Sequence, residues 1–197
     1  WAYYQAGFQN LVAAAVESRY PKEGVKTAIG LLGEGLLGLA KCIVLVEPGV
    51  DVRSFADILR AIRRHFDPAN DFLLVSRAPA DSLDFTSLQP NQGSKMVIDA
   101  TGHEEEPAPS RAIEVDPAVL GRGVKKWRLV EDTLLVLQVD GDATETIDRA
   151  VRSNWLGSVK IVAAVSPDVD IDDEPSLIWV CFTRFEPARD ILFARTT

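Results

Sequence analysis

The chain has 197 residues, 47% of them apolar and 25% charged, and carries a formal charge of −8 from 21 Lys and Arg against 29 Asp and Glu. That length buries a substantial core in one domain or two small ones, and the acidic balance leaves no basic stripe for a nucleic acid or an anionic membrane. No apolar run reaches the roughly 18 residues of a spanning helix and no secretory signal pattern opens the chain, so a cytoplasmic protein without a membrane span is expected.

The first residue is Trp1 and the single methionine is Met96, from which a piece of a longer polypeptide is expected. Residues 10–18 (NLVAAAVES) form a short apolar run closed by polar residues and Pro21, which reads as a buried strand. Residues 22–37 read as a helix, weakened by Gly24, Gly30, Gly33 and Gly35 and expected to break near Gly33. Residues 41–46 (KCIVLV) have the β-branched, continuously apolar character of a strand covered on both faces, central in a parallel sheet. Ser54 followed by Asp57 resembles a capping box, and Phe55, Ile58, Leu59, Ile62 and Phe66 then recur on one helical face with Arg60, Arg63 and Arg64 on the wet side. Asp67-Pro68 stops that helix, and residues 71–76 (DFLLVS) are the next strand, giving a βαβαβ order.

That unit recurs. Residues 41–71 read onto 160–190 at a fixed shift of 119 with nine identities in 31 ungapped positions: Lys41/Lys160, Val46/Val165, Pro48/Pro167, Val50/Val169, Asp51/Asp170, Phe66/Phe185, Pro68/Pro187, Ala69/Ala188 and Asp71/Asp190. Chance would give roughly two. The second copy places strands at 133–139, 158–165 and 190–194 and helices at 143–153, capped by Asp142 and Glu145, and at 173–184. The fold class is therefore α/β, a three-layer α/β/α arrangement with a mostly parallel sheet built from two repeated βαβαβ units. The units span residues 1–101 and 133–197, joined by an acidic, proline-bearing linker over 102–132. Within that linker, 102–110 reads as an exposed or mobile loop and 116–121 as a short helix. Cys42 falls in a strand and Cys181 in a helix, and both read as buried thiols.

Several patterns invite a site. Gly33, Gly35 and Gly38 satisfy G-x-G-x-x-G, but the pattern sits at a helix end and leads into a strand, the reverse of a dinucleotide fingerprint. A nucleotide-dependent oxidoreductase has only that pattern behind it. His103 beside Glu104, Glu105 and Glu106 reads as a solvated charge run, since consecutive residues cannot all converge on one ion. Asp168, Asp170, Asp172 and Asp173 lack the glycine and closing glutamate of a calcium loop and read as helix-start carboxylates. His65 ends a helix, and no serine or cysteine elbow accompanies it. The best candidate is residues 93–101 (GSKMVIDAT), a glycine-led turn with a lone lysine entering a strand-like run, whose default role is structural.

Taken in order, Tyr20-Pro21, the strand and acidic turn of 41–51, Asp67-Pro68-Ala69-Asn70-Asp71, Asp81-Ser82-Leu83-Asp84 and 93–101 resemble the C-terminal domain of the UbiD-type decarboxylases, the 3-octaprenyl-4-hydroxybenzoate carboxy-lyase family. The resemblance covers residues 10–101, and reaches the second copy only through its likeness to the first. It implies reversible, non-oxidative decarboxylation of aromatic or α,β-unsaturated acids with prenylated FMN, a divalent metal and potassium. The cofactor and catalytic residues would belong to an N-terminal flavin-binding domain of the same polypeptide, so none is expected in this chain, which would bind no cofactor or metal alone. The resemblance further implies a homo-oligomer and a wall of the substrate cleft, with Ser94, Lys95 and Met96 placed near it. Trp127, Trp155 and Trp179 are the aromatic candidates for the association surface. The alternative is a stand-alone α/β interaction or small-ligand-binding protein that has lost the chemistry.

Overall fold

The computed structural model describes residues 1–102, 120–121, 123–152, 156 and 159–193. The first half contributes β1 (Leu11–Ala15), α1 (Glu23–Leu32), β2 (Cys42–Val46), α2 (Phe55–His65), β3 (Phe72–Pro79) and β4 (Gln92–Ala100). The second contributes β5 (Val124–Val130), β6 (Leu134–Val139), α3 (Ala143–Val151), β7 (Ile161–Val165), α4 (Glu174–Thr183) and α5 (Pro187–Asp190).

These elements form two sheets, ordered β1-β2-β4-β3 and β5-β6-β7. All five residues of β2 are buried, as a strand covered on both faces requires. β2 lies parallel to β1 and to β4, with Cys42 opposite Met96. β3 runs antiparallel to β4, and β5 antiparallel to β6, so both sheets are mixed. The connection over 80–91 contains no helix, and a parallel return would need a crossover of about a dozen residues or more, usually helical.

The expected three layers are replaced by a deeper stack. One core cluster joins Val44 and Ile98 of the first sheet to Ile62 of α2, Val136 and Val165 of the second sheet, and Leu177 and Ile178 of α4. α2 and α4 thus lie between the sheets. On the outer face of the first sheet, Ile43, Leu45 and Val97 pack on Ala28 of α1. On the outer face of the second, Leu135 and Leu137 pack on Ala150 of α3. The reason is in the two inner helices: α2 buries Ile58, Leu59, Ala61 and Ile62, and α4 (EPSLIWVCFT) is apolar on nearly every side, so each can be covered from two directions. The arginines of α2 are partly exposed as expected, yet Arg60 reaches Glu131 at 2.8 Å and Arg63 reaches Asp132 at 3.3 Å in the turn before β6.

Local signals in the sequence act as expected at the helix starts. Ser54 accepts the Asp57 N–H at 3.2 Å, Asp142 that of Glu145 at 3.0 Å and Asp173 that of Ser176 at 2.9 Å. α1 ends at Leu32 and a 3-10 turn over Gly35–Leu39 follows, so the break does fall near Gly33. β7 begins and ends 119 residues after β2, and Asp173 lies 119 after Ser54. The strand expected at 190–194 does not form over 190–193. Asp190 instead closes α5, because Pro187 in the first turn and the Glu186 side chain, accepting the Arg189 N–H at 3.0 Å, favour a helical turn. β5 lies inside the expected linker; its lysines and arginine hid an edge strand. Residues 103–110 and 116–119 of the expected loop and helix lie outside the described residues, as does Trp155, while Trp127 and Trp179 are partly exposed. Cys42 is fully buried as expected, which pushes its thiol far up, whereas Cys181 is only partly buried, enough to raise its thiol to about 11.

Candidate functional site

The G-S-K-M run, expected as a glycine-led turn entering a strand, lies wholly within β4. Ser94, Lys95 and Met96 lie on β4, in the middle of the first sheet, and each is buried. Their side chains alternate across the pleat. Met96 enters the core cluster shared by the two sheets. The Ser94 hydroxyl donates to the Glu186 carboxylate and accepts the Ala188 N–H at 2.8 Å, tying β4 to the start of α5. Lys95 donates through Nζ to the Ala40 carbonyl at 3.1 Å. Burial lowers the Lys95 pKa, against a smaller opposing pull from the Asp84 charge.

Beside this strand lies an ion pair that the sequence marked only as a repeated lysine and one aspartate of a D-x-L-D element. Lys41, immediately before β2, places Nζ 2.8 Å from Asp84 Oδ2, and both side chains are at most 9% exposed. The same ammonium donates to Thr86 Oγ1 at 3.1 Å and to the Phe182 and Phe185 carbonyls at 3.2 Å, and stands 5.6 Å from the centre of the Phe185 ring. Asp84 Oδ1 accepts from the Thr86 N–H and hydroxyl at 3.0 and 2.6 Å. Burial works to raise the Asp84 carboxyl, but the hydrogen bonds from Lys41 and Thr86 and the lysine charge together hold it below the usual carboxylate range. Arg189 donates to the Thr86 carbonyl at 3.1 Å, so the loop over 80–91 is held directly by the second half of the chain at Thr86, and indirectly through Lys41, which bridges Asp84 to the Phe182 and Phe185 carbonyls.

The two acidic-proline elements build the same turn. In one, the Asp67 N–H reaches Asp71 Oδ2 at 2.9 Å and the Asp71 N–H reaches the Asp67 carbonyl at 2.8 Å. In the other, the Glu186 N–H reaches Asp190 Oδ2 at 2.8 Å and the Asp190 N–H reaches the Glu186 carbonyl at 2.9 Å. Hydrogen bonds from Ala69 and Asn70 hold the Asp67 carboxyl below its ordinary range. Lys22 pairs with Asp71, whereas Glu186 is taken by Ser94.

The remaining candidates stand apart from this junction. Gly33, Gly35 and Gly38 lie at the end of α1, leading into β2; Gly38 is tightly packed, since a Cβ there would come within 3.0 Å of the Leu32 carbonyl, whereas Gly35 has open space and serves the turn with a φ of 41°. Asp173 caps α4, Asp168 pairs with Arg184 at 3.2 Å, Asp172 pairs with Lys126, and Asp170 accepts the Asp172 N–H at 3.0 Å. His65, whose side chain is buried, places Nε2 3.0 Å from Glu47 Oε2; Glu47 itself lines an open cleft at the end of β2 with Arg64, which is paired to it, and Arg60, which is paired to Asp57. His103, Glu104, Glu105 and Glu106 lie outside the described residues.

The flavin and metal ions that the resemblance implies do not fit the described residues. Lys41 already has four acceptors for three N–H donors, and Lys95, which gives one donor to the Ala40 carbonyl, is buried within the first sheet, so neither presents its ammonium to a phosphate. Among the described residues, no three His, Cys, Asp or Glu side chains converge closely enough to hold a metal ion. What the junction can do is fix a strand, a loop and the start of α5 in one geometry.

Comparison with known proteins finds relatives along almost the whole chain. A 4-hydroxybenzoate decarboxylase subunit of Chlamydia pneumoniae is 30% identical over 204 residues, which cover 96% of this chain and 32% of that protein. The chain spans about a third of the length of the first curated relatives that match almost all of it. The vanillic acid decarboxylase of Sedimentibacter hydroxybenzoicus, in open form, is 26% identical over 54% of this chain and 23% of its own, with a TM-score of 0.43. The UbiD-class enzyme HmfF from Pelotomaculum thermopropionicum, in complex with FMN, is 18% identical over 51% of this chain and 24% of its own, with a TM-score of 0.44. The profile of the 3-octaprenyl-4-hydroxybenzoate carboxy-lyase C-terminal domain matches residues 1–100 and 124–197, and the chain belongs to that family.

Proposed function

We propose that this chain is the C-terminal portion of a UbiD-like decarboxylase acting on aromatic or α,β-unsaturated acids in the cytoplasm. Prenylated FMN, divalent metal and potassium are held by an N-terminal domain of the same polypeptide; when bound, the flavin supplies the electron sink for decarboxylation. This chain joins subunits and forms part of the cleft wall, and does not decarboxylate alone. Ser94, Lys95 and Met96 serve the wall by fixing β4 against the start of α5 and the segment before β2. Residues 1–101 and 133–197 are diverged copies of one unit joined by 102–132, a reading supported by the equal offsets of β2 to β7 and of Ser54 to Asp173.

The observation that carries the proposal is the loop over 80–91. Asp84 and Thr86 are drawn inward onto Lys41, while Leu83, Phe85 and Leu88 stand 64%, 86% and 93% exposed. Three bare apolar side chains on an anchored loop are a surface for another protein domain to cover.

The test combines the chain with the flavin domain. Alone, with prenylated FMN and an aromatic acid, the chain releases no carbon dioxide, and joined to the flavin domain it supports turnover. Phe85→Asp lowers kcat/KM of the joined enzyme by about tenfold or more, about 1.4 kcal/mol, while the fold of the separate chain is unchanged. Carbon dioxide from the chain alone, or full activity with Phe85→Asp, overturns the proposal.

A further inference from the structure

The two sheets expose four outer strand edges, and three carry devices that keep an edge from joining another chain. On β1, Ala2 bridges to Val12 and the Ala13 N–H donates to the Trp1 carbonyl at 2.9 Å. β3 is irregular between Val75 and Ala78, holds Arg77 at a φ of 56° and ends in Pro79. β5 has a register shift between Val124 and Lys126 and carries Lys125, Lys126 and Arg128. β7 (IVAAV) has no charge, proline or bulge, and among the described residues only β6 pairs with it.

Its unpaired groups are identifiable. The Ile161 N–H donates to the Thr133 carbonyl at 3.1 Å, so the odd-numbered residues bond toward β6, and Val162 and Ala164 direct their N–H and C=O outward. In β2, 119 residues earlier, the corresponding edge is filled by β4, with Ile43 opposite Val97 and Leu45 opposite Asp99. Among the described residues nothing pairs with the same edge of β7.

We propose that β7 pairs antiparallel with β7 of a second copy of this chain, about a two-fold axis at Ala163, making one continuous sheet from two. The proposal rests on the reading that this domain joins subunits. In that register Val162 and Ala164 of each copy exchange both backbone hydrogen bonds with Ala164 and Val162 of the other. Ala163 meets its own symmetry mate in the close, non-hydrogen-bonded position, where Cα atoms approach to about 4.5 Å and a small side chain is needed. The ends are charge-complementary: Lys160 comes opposite Ser166 of the second copy, two residues from Asp168, and the symmetry repeats this at the other end. Asp168 is exposed and already held by Arg184 and Ser166, so Lys160 of the second copy would join an existing surface pair rather than complete an unpaired charge. A self-complementary patch of this kind is what a closed two-fold dimer requires.

Sedimentation velocity of the 197-residue chain over a wide concentration range tests this, with two variants. The chain forms a concentration-dependent dimer. Ala164→Pro removes an outward N–H without touching the β6 ladder, and weakens the dimer at least about tenfold. Ala163→Cys gives a covalent dimer on oxidation, because about 4.5 Å between Cα atoms is within disulfide reach, and the unmodified chain with Cys42 and Cys181 does not. The cysteine variant decides the matter should the proline variant fail to fold. A dimer that ignores Ala164→Pro and yields no Ala163→Cys cross-link overturns the β7 pairing while leaving association through another surface. A monomer at every concentration overturns both the pairing and the association reading.

Discussion

Lys41 and Asp84 come from segments on opposite sides of α2 and β3, yet their charges meet at 2.8 Å where the first sheet touches the segment joining α4 to α5. A charge this deeply buried is stable only with its partner and its remaining hydrogen bonds in place. Asp84→Asn leaves the ammonium with neutral acceptors alone and is expected to cost about 3–5 kcal/mol of unfolding free energy. Lys41→Met paired with Asp84→Leu costs less than the sum of the single changes, because neither charge is then orphaned. Urea denaturation of the native chain, Asp84→Asn, the two single changes Lys41→Met and Asp84→Leu and their combination measures both statements, and additive losses would refute the coupling.

The same pair sets a pH dependence. The Asp84 carboxyl titrates lower in the folded chain than in the unfolded one, so its stabilisation is present above the unfolded value of about 3.9 and is lost as pH falls through the folded value. Asp67 and Asp190 are lowered in the same sense. Thermal melts from pH 7 down to pH 2 are expected to show a steeper loss of stability for the native chain than for Asp84→Asn. Parallel curves would mean that Asp84 is not the titrating contributor.

Lys95 presents the opposite balance. Its ammonium is buried and hydrogen-bonded to one carbonyl, and burial lowers its pKa. Replacement by Met keeps the aliphatic stem and removes the desolvation penalty, so Lys95→Met is expected to fold with stability equal to or above the native chain, by up to about 1 kcal/mol. In the joined enzyme the same change is expected to reduce turnover. A residue that costs stability and serves only packing would show no such loss, so calorimetry and activity together separate the two roles.

Much of this was legible in the residues themselves. The apolar run of β2, the Ser54 and Asp173 caps and the glycine-led break of α1 are local signals, and local chemistry decided them. The packing of α2 and α4 between two sheets was not legible, because an apolar stripe says that a helix is covered but not by how many sheets. The order of the motifs around Gly93 singled out β4, yet Ser94 meets Glu186 at a separation of 92 positions, and nothing in either residue type announces that partner. Lys41 carried one faint signal, its identity with Lys160 across the repeat, which is silent on burial. β5 was hidden by the very charges that protect it as an edge.

Two glycines of α1 give the sharpest contrast within one element. Ala normally stabilises a helix interior relative to Gly by up to about 1 kcal/mol. Gly30 has open space where a Cβ would sit, so Gly30→Ala is expected to raise stability by an amount of that order. At Gly24 a Cβ would fall 2.4 Å from Asp99 Oδ2, and Asp99 has nowhere to go: its other oxygen accepts from the Thr101 N–H at 3.1 Å and hydroxyl at 2.6 Å, at the end of the central strand. Gly24→Ala is therefore expected to lose about 1–3 kcal/mol despite its better helix propensity. The Gly24→Ala loss should shrink when Asp99→Ala is introduced beside it, because the clash is then gone. Equal effects of alanine at the two glycines would show that α1 does not press on β4 through Gly24.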